Sequence, residues 1–99
     1  MKIFLTDFAK TQIKTIYSYH KAVASIDVAK KIKSEIDIAI LKLKDFPEAG
    51  QIEEYMAQFG KPYRRLVTSH YKIIYRIDGD IVFITDVFDS RQSPLKIKS

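Results

Sequence analysis

The sequence predicts one α+β domain, because two long stretches with the periodicity of amphipathic helices precede three short runs with the alternation of strands. The predicted order is an N-terminal strand, an antiparallel helical hairpin and a three-stranded antiparallel meander, with the first strand added to the same sheet. A chain of 99 residues suffices for a single core, and it contains no internal repeat and no low-complexity linker. We therefore expect one domain over residues 1–99.

The first half begins with residues 2–6, a short run of β-forming residues that predicts a strand. Thr6 or Asp7 can cap the helix that follows, which should run for about 17 residues before its periodicity stops. Its apolar residues recur at helical spacing. They are Ala9, Ile13, Ile16, Tyr17 and Val23.

A second helix follows a break at residues 24–27, where Ser25 or Asp27 can cap its first amides. We expect about 20 residues, ending at Asp45-Phe46-Pro47, because the residue before a proline disfavours the α conformation. Three apolar side chains fall outside its main stripe, namely Ile26, Ile38 and Leu41. They either widen the buried face or mark where a partner docks.

The second half predicts three further strands, at about 63–69, 70–77 and 81–88. The middle strand alternates between an apolar face and a face that carries Lys72 and Arg76, the period expected of a half-buried strand. A tight hairpin turn is predicted at Asp78-Gly79-Asp80, since the glycine supplies positive φ.

The segment between the second helix and these strands is less decided. Residues 53–59 can form a helical turn that Gly60 would stop. Glu53 and Glu54 are expected on its solvated face.

Composition excludes several kinds of site. The chain has no cysteine, hence no disulfide, thiolate metal site or Cys nucleophile. Its two histidines lie fifty residues apart, which offers no metal-ligand spacing, and we expect neither a metal nor a cofactor. The first apolar run is too short for a signal peptide, and no stretch reaches the roughly 18 apolar residues of a membrane span. We expect a cytoplasmic protein without a membrane segment.

The net charge of +5 is unevenly distributed. Residues 61–77 carry five cations and no acid. The five are Lys61, Arg64, Arg65, Lys72 and Arg76. A concentrated basic segment favours an anionic partner. The alternative is a solvated sheet face whose cations keep an edge strand soluble.

Three groups of motifs carry a resemblance to a known family. They are Phe46-Pro47 with Gly50, the strand motifs Tyr63-Arg64-Arg65-Leu66-Val67 and His70-Tyr71-Lys72-Ile73-Ile74-Tyr75-Arg76, and Asp86-Val87-Phe88-Asp89-Ser90-Arg91-Gln92 with Pro94. In order and spacing, over nearly the whole chain, they resemble the RelE/ParE superfamily, the toxin halves of bacterial type II toxin–antitoxin systems. The resemblance implies a growth-inhibiting toxin in a hetero-oligomer with a cognate antitoxin, whose C-terminal segment wraps the toxin and adds a helix or strand.

The superfamily contains two chemistries. RelE-like members cleave mRNA on the ribosome, whereas ParE-like members poison DNA gyrase and have no hydrolytic site. Metal-free RNA cleavage needs a base, an acid and cations that stabilise the pentavalent phosphate. The resemblance places Lys72 and Arg91 among such cations, and Arg65 lies in the preceding strand, where the ribonucleases also carry basic residues. His70 is a candidate stand-in base, because the ordinary pKa of histidine suits acid–base work.

The acid or base of the ribonucleases has no counterpart in the C-terminal tail. Those members carry a tyrosine or a histidine–tyrosine pair there, whereas the tail QSPLKIKS has no Tyr, His, Asp or Glu. The simpler interpretation of His70 is a turn residue, and His20 is expected at the surface.

The long helical hairpin and the tail without an acid or base favour the ParE-like class, which acts on gyrase through protein contacts. The five cations of residues 61–77 and Arg91 are then candidate target-binding residues. Arg91 can instead pair with Asp86 or Asp89 as a structural clamp. A RelE-like ribonuclease and an inactive member retained for antitoxin binding stay open as alternatives.

Overall fold

The computed structural model describes residues 1–60 and 62–91, so Lys61 and the C-terminal tail lie outside the described residues. The helices are α1 (Asp7–Val23), α2 (Ile26–Lys42) and the short α3 (Glu54–Ala57). The strands are β1 (Lys2–Leu5), β2 (Gln51–Ile52), β3 (Tyr63–Thr68), β4 (Tyr71–Asp78) and β5 (Ile81–Asp89). The predicted order is confirmed, and β2 and α3 occupy the segment that the sequence left undecided.

Both long helices begin at a capping side chain. The Thr6 hydroxyl oxygen accepts a hydrogen bond from the Ala9 amide at 3.1 Å, and the Ser25 hydroxyl oxygen accepts one from the Val28 amide at 3.1 Å. Each helix has 17 residues. The second is shorter than predicted, because the amides of residues 43–45 bond three residues back and tighten the chain into a turn.

The strands form one mixed sheet in the order β1-β5-β4-β3-β2. β1 pairs with β5 in parallel, and the other pairs are antiparallel. The β4–β5 register shifts between Ile74, opposite Asp86, and Tyr75, opposite Ile84, which leaves Thr85 as an extra residue in β5. This bulge changes the alternation of side chains along β5, which explains why its sequence reads as apolar on both faces.

The main core lies between the helical hairpin and one face of the sheet. Its fully buried members from the sheet come from β4 and β5, the two central strands, and are Ile73, Tyr75, Val82, Ile84 and Val87. Ala9 of α1 and Ile36 of α2 belong to the same core and contribute to it from the side of the helical hairpin. Because β4 and β5 are covered along their length, they supply most of the apolar burial that stabilises the domain.

The opposite face of the sheet holds a second apolar cluster. It consists of Met56, Tyr63, Ile74 and Phe88. The sequence predicted a charged outer face, but Ile74 is fully buried there because α3 brings Met56 over it. The sheet is therefore covered on both sides over part of its area. No helix within residues 1–60 and 62–91 is long and apolar enough to cross a membrane.

The buried phenol of Tyr75 ties the connection after α2 to the centre of the sheet. Its hydroxyl donates to the Pro47 carbonyl at 2.8 Å and accepts from the Gly50 amide at 2.9 Å. The Arg64 guanidinium donates to the Gly50 carbonyl at 2.8 Å. Burial raises the pKa of the Tyr75 phenol, so the hydroxyl keeps the proton that it donates.

Replacing Gly50 by alanine should destabilise the fold by about 1–3 kcal/mol, because the added Cβ overpacks a filled space. That atom would lie 2.6 Å from the Tyr75 hydroxyl and 2.7 Å from the Arg65 carbonyl oxygen. Urea unfolding of the two proteins measures the difference. The loss should persist in a Tyr75→Phe background, since the Arg65 carbonyl remains, and equal stability of Gly50→Ala and wild type would contradict the close approach.

Candidate functional site

Arg64 and Arg65, two of the cations predicted to bind a partner, donate hydrogen bonds to backbone carbonyls within the chain. Neighbours on β3, they lie on opposite faces of the sheet, and Arg65 donates to the Ile52 carbonyl at 2.7 Å and to the Gln51 side chain at 3.0 Å. Its guanidinium also lies 3.8 Å from the carboxylate of Glu53. The expectation that Glu53 is solvated was wrong, because its side chain is buried beside this guanidinium.

Lys72 and Arg76 lie on the sheet face opposite the long helices. The guanidinium carbon of Arg76 lies 4.4 Å from the centre of the Phe83 ring, within the range of a cation–π contact. Arg76 also lies 3.4 Å from the Asp78 carboxylate. The Phe83 ring in turn meets the exposed ring of Phe4 edge-on, with centroids 5.5 Å apart. Arg76 on this face thus contacts an aromatic ring that in turn contacts a second, exposed ring.

Arg91 pairs with Asp89, one of the two partners that the sequence offered. Its Nε lies 2.9 Å from the Asp89 carboxylate, and its backbone amide donates to the same oxygen at 2.9 Å. These hydrogen bonds lower the pKa of Asp89 from 3.8 to about 2. Asp86 is instead buried within hydrogen-bonding distance of the Gln12 side chain, at 3.4 Å.

His20, which we expected at the surface, is half-buried and has a partner in the sheet. Its Nε2 lies 2.6 Å from the hydroxyl of Tyr71, 51 residues away in the chain. Burial, and next the charge of Asp89, raise the pKa of the Tyr71 phenol. A signal was present in the sequence, since His20 continues the α1 stripe of Ile13 and Ile16 by one turn. The lysines near His20 in the sequence suggested a solvated position instead.

These residues line one cleft between the C-terminal half of α1 and the end of β5. The cleft has a volume of about 440 Å³ and includes Tyr19, His20, Tyr71, Asp89 and Arg91 in its walls. Among them, sequence reasoning named Arg91 as a candidate binding residue and Asp89 as its possible partner, but it did not place Tyr19, His20 or Tyr71 at a site. Long-range pairing between the two ends of the chain brings the others to it.

The four candidates for RNA cleavage are not gathered in one place. Arg65 and Lys72 lie on the face opposite the helices, whereas Arg91 pairs with Asp89, whose register partner Tyr71 faces the helices. His70 is exposed in the turn before β4, and its carbonyl accepts from the Ser90 amide, so His70 lies near Arg91 but away from Arg65 and Lys72. Within the part of the chain that the structure describes, no group of three acidic or histidine side chains could hold a metal ion.

The three apolar residues singled out on α2 are exposed. The exposed fraction is 45% for Ile26, 66% for Ile38 and 62% for Leu41. A second cavity of about 510 Å³ opens beyond the end of this helix, lined by Phe46 and Pro47 among others. An exposed apolar surface thus extends from the helix into the turn that follows it.

Removing the Arg91 guanidinium should return the pKa of Asp89 toward its ordinary value of 3.8. Because Arg91 holds the folded-state pKa below the unfolded one, its stabilising effect is complete above pH 4 and is lost as pH falls toward about 2. Carboxyl-carbon NMR titration of the wild type and Arg91→Gln measures the shift. Arg76→Gln is the matched control, and an unchanged Asp89 titration in Arg91→Gln would contradict the pairing.

Comparison with known proteins assigns this fold to a family. The sequence model of the family described as "ParE toxin of type II toxin-antitoxin system, parDE" matches residues 3–94. A solved structure described as the chromosomal ParDE TA system from P. aeruginosa is similar, with a TM-score of 0.76 and 19% identity. The similarity covers 90% of this chain and 95% of that chain, and at this identity it shows a shared fold. A search of curated proteins gave no match. The family match spans most of the sequence, and this chain therefore belongs to the ParE toxin family of type II toxin–antitoxin systems.

Proposed function

We propose that this toxin inhibits growth through a ParE-like interaction with DNA gyrase in the cytoplasm, and that a cognate antitoxin neutralises it. The family match over residues 3–94 carries the proposal. A gyrase poison of this kind acts through protein contacts and needs no hydrolytic centre of its own. The cationic and apolar surfaces of the chain are then the places where partners bind.

The arrangement of the basic residues supports binding over phosphodiester cleavage. Cleavage requires an acid, a base and cations that converge on one phosphate. Arg65 and Lys72 lie on the sheet face opposite the helices, whereas Arg91 and His70 lie beside the turn before β4. Each of the four candidate arginines also donates to a group of the chain itself.

Lys72 is the remaining described cation of the candidate set, and we propose it as a target contact. It lies half-buried on β4 opposite Val67 and Phe88, two apolar neighbours that would pack against its methylene groups. An ammonium held at the end of such a stem can pair with a carboxylate or phosphate of the target. Its local role differs from that of Arg65 and Arg91, whose guanidinium groups hold β2 and Asp89 in place.

The antitoxin contact is proposed at the exposed apolar residues of α2. Ile26 and Ile38 are separated by about 18 Å along the helix axis at a rise of 1.5 Å per residue. Leu41 lies about one further turn along, next in the chain to Lys42, which lines the cavity at Phe46. A single antitoxin segment that covers all three must therefore run along most of the helix, as a wrapping segment does.

Induced expression without antitoxin should lower plasmid supercoiling and induce the SOS response while mRNA stays intact. Purified toxin should inhibit gyrase supercoiling, and Lys72→Gln should weaken this inhibition about tenfold, as the loss of a charge-assisted contact predicts. Lys31→Gln, an exposed cation on α2, is the control and should behave as wild type.

The same expression experiment also distinguishes the two alternative functions. Codon-phased mRNA breaks with unchanged supercoiling would identify a RelE-like ribonuclease and reject the gyrase proposal. No growth inhibition in several hosts, with antitoxin binding retained, would identify an inactive member.

Glutamate at Ile38 or Leu41 should weaken antitoxin binding by at least about tenfold, since a charge must then be desolvated in an apolar interface. Both side chains are largely exposed, so the free toxin should keep its stability. Calorimetric titration with the purified antitoxin measures the affinity, with Lys10→Gln, which removes an exposed cation on α1, as the control. Ile26→Glu tests the far end of the helix, and an unchanged affinity there would shorten the proposed contact to the Phe46 end.

A further inference from the structure

We propose that the cleft between α1 and the end of β5 binds a nucleotide, with its base against Tyr19 and the His20–Tyr71 pair and its phosphate on Arg91. This site lies apart from the proposed antitoxin contact on α2, and it adjoins the proposed gyrase contact at Phe88, the register partner of Lys72. The inference concerns the cleft alone and does not depend on either of them.

The size and lining of the cleft suit a nucleotide base. Its volume of about 440 Å³ lies within the range of small-molecule sites, roughly 300–1,000 Å³. Ile16 and Val87 give it an apolar floor, and Gln12 and Thr15 add polar groups along one wall. A base has this same combination of flat apolar faces and an edge of donors and acceptors.

Three rings are arranged in series at the cleft. Tyr19 meets His20 edge-on with centroids 5.1 Å apart, and His20 meets Tyr71 edge-on at 6.2 Å. The 2.6 Å hydrogen bond between His20 and Tyr71 fixes the inner two rings. Tyr19 is 60% exposed, so one ring stands at the mouth where a base can stack on it.

Arg91 supplies a cation beside these rings. Its side chain is 73% exposed, and Asp89 holds it through Nε and Nη2. Asp89 therefore engages two of the five N–H donors of the guanidinium and leaves three for an anion. A guanidinium fixed in this way is suited to a phosphate, because the orientation of its fork is set before the ligand arrives.

The charges distinguish a nucleotide from other planar ligands. A neutral aromatic ligand would offer no anionic acceptor to the three N–H donors of Arg91 that Asp89 leaves, and a cationic ligand would meet Arg91 at the mouth. The net charge of +5 also draws anions toward the chain. Free nucleotides and the nucleotides of a single strand are the two sources of such a ligand, and both share the same recognition chemistry.

The test is a titration of the ¹⁵N-labelled full chain, made by cell-free synthesis, with AMP and CMP, followed by amide resonances. We expect saturable shifts at residues 19–21 and 89–91 and at Tyr71. Adenosine and inorganic phosphate should each bind more weakly than AMP, since each supplies half of the contacts. An oligoadenylate strand that binds more tightly than AMP would assign the site to single-stranded nucleic acid, and equal or weaker binding would assign it to free nucleotides.

Two variants and two controls locate the binding. Arg91→Gln and Tyr19→Ala should each weaken AMP binding at least about fivefold, through loss of a charged hydrogen bond and of a stacking surface. Lys31→Gln and Phe4→Ala remove an exposed cation and an exposed ring elsewhere, and should leave the affinity unchanged. None of these variants changes His20 or Tyr71, so the part of the cleft that this hydrogen-bonded pair forms is the same in all of them.

Three results would overturn the inference. The first is the absence of saturable shifts with AMP, CMP and the oligonucleotide alike. The second is a set of shifts around Phe4 and Phe83 that Phe4→Ala abolishes, which would place nucleotide binding on the opposite face of the sheet. The third is unchanged AMP affinity in both Arg91→Gln and Tyr19→Ala.

Discussion

The two hydrogen bonds of the Tyr75 hydroxyl connect the helical half of the domain to its sheet. Tyr75 is fully buried on a central strand, and through Pro47 and Gly50 it holds the chain that leaves α2. The position of β2 at the sheet edge depends on this connection, as do the bonds that Arg64 and Arg65 make to it. A buried donor–acceptor group that is fully satisfied specifies one arrangement, because any other leaves costly unpaired groups.

Coverage of the sheet on both faces decides which cations remain for a partner. The long helices cover one face, and α3 covers part of the other through Met56, which clusters with Ile74 and Phe88 of the sheet. Arg64 and Arg65, which the sequence suggested as partner contacts, instead donate hydrogen bonds to the carbonyls of Gly50 and Ile52. Arg76 packs over the ring of Phe83. A local excess of positive charge is therefore a poor measure of the charge offered to a partner, since guanidinium groups also satisfy backbone carbonyls.

The cleft beside β5 and the exposed side of α2 are physically different surfaces. The cleft combines rings with a paired arginine and suits a small anionic ligand. The exposed residues of α2 are aliphatic and continue toward Phe46, which suits the apolar face of a protein segment. Family membership accounts for the second kind of surface through the proposed antitoxin. The cleft, in contrast, is lined by side chains of which only some belong to the family motifs.

The sequence by itself determined the order of the main elements, both helix caps and the β4 alternation, because each depends on neighbours within a few residues. It also contained the family motifs, and the bonds between Tyr75, Pro47 and Gly50 now explain why two of those motifs occur together. The helical turn that became α3 was also suggested, whereas only the tertiary structure decided the short strand β2, whose local preference is weak and whose stability comes from packing. It likewise decided that Glu53 is buried and that His20 meets Tyr71, since pairings across such separations depend on how the sheet and helices are placed, which no local pattern encodes.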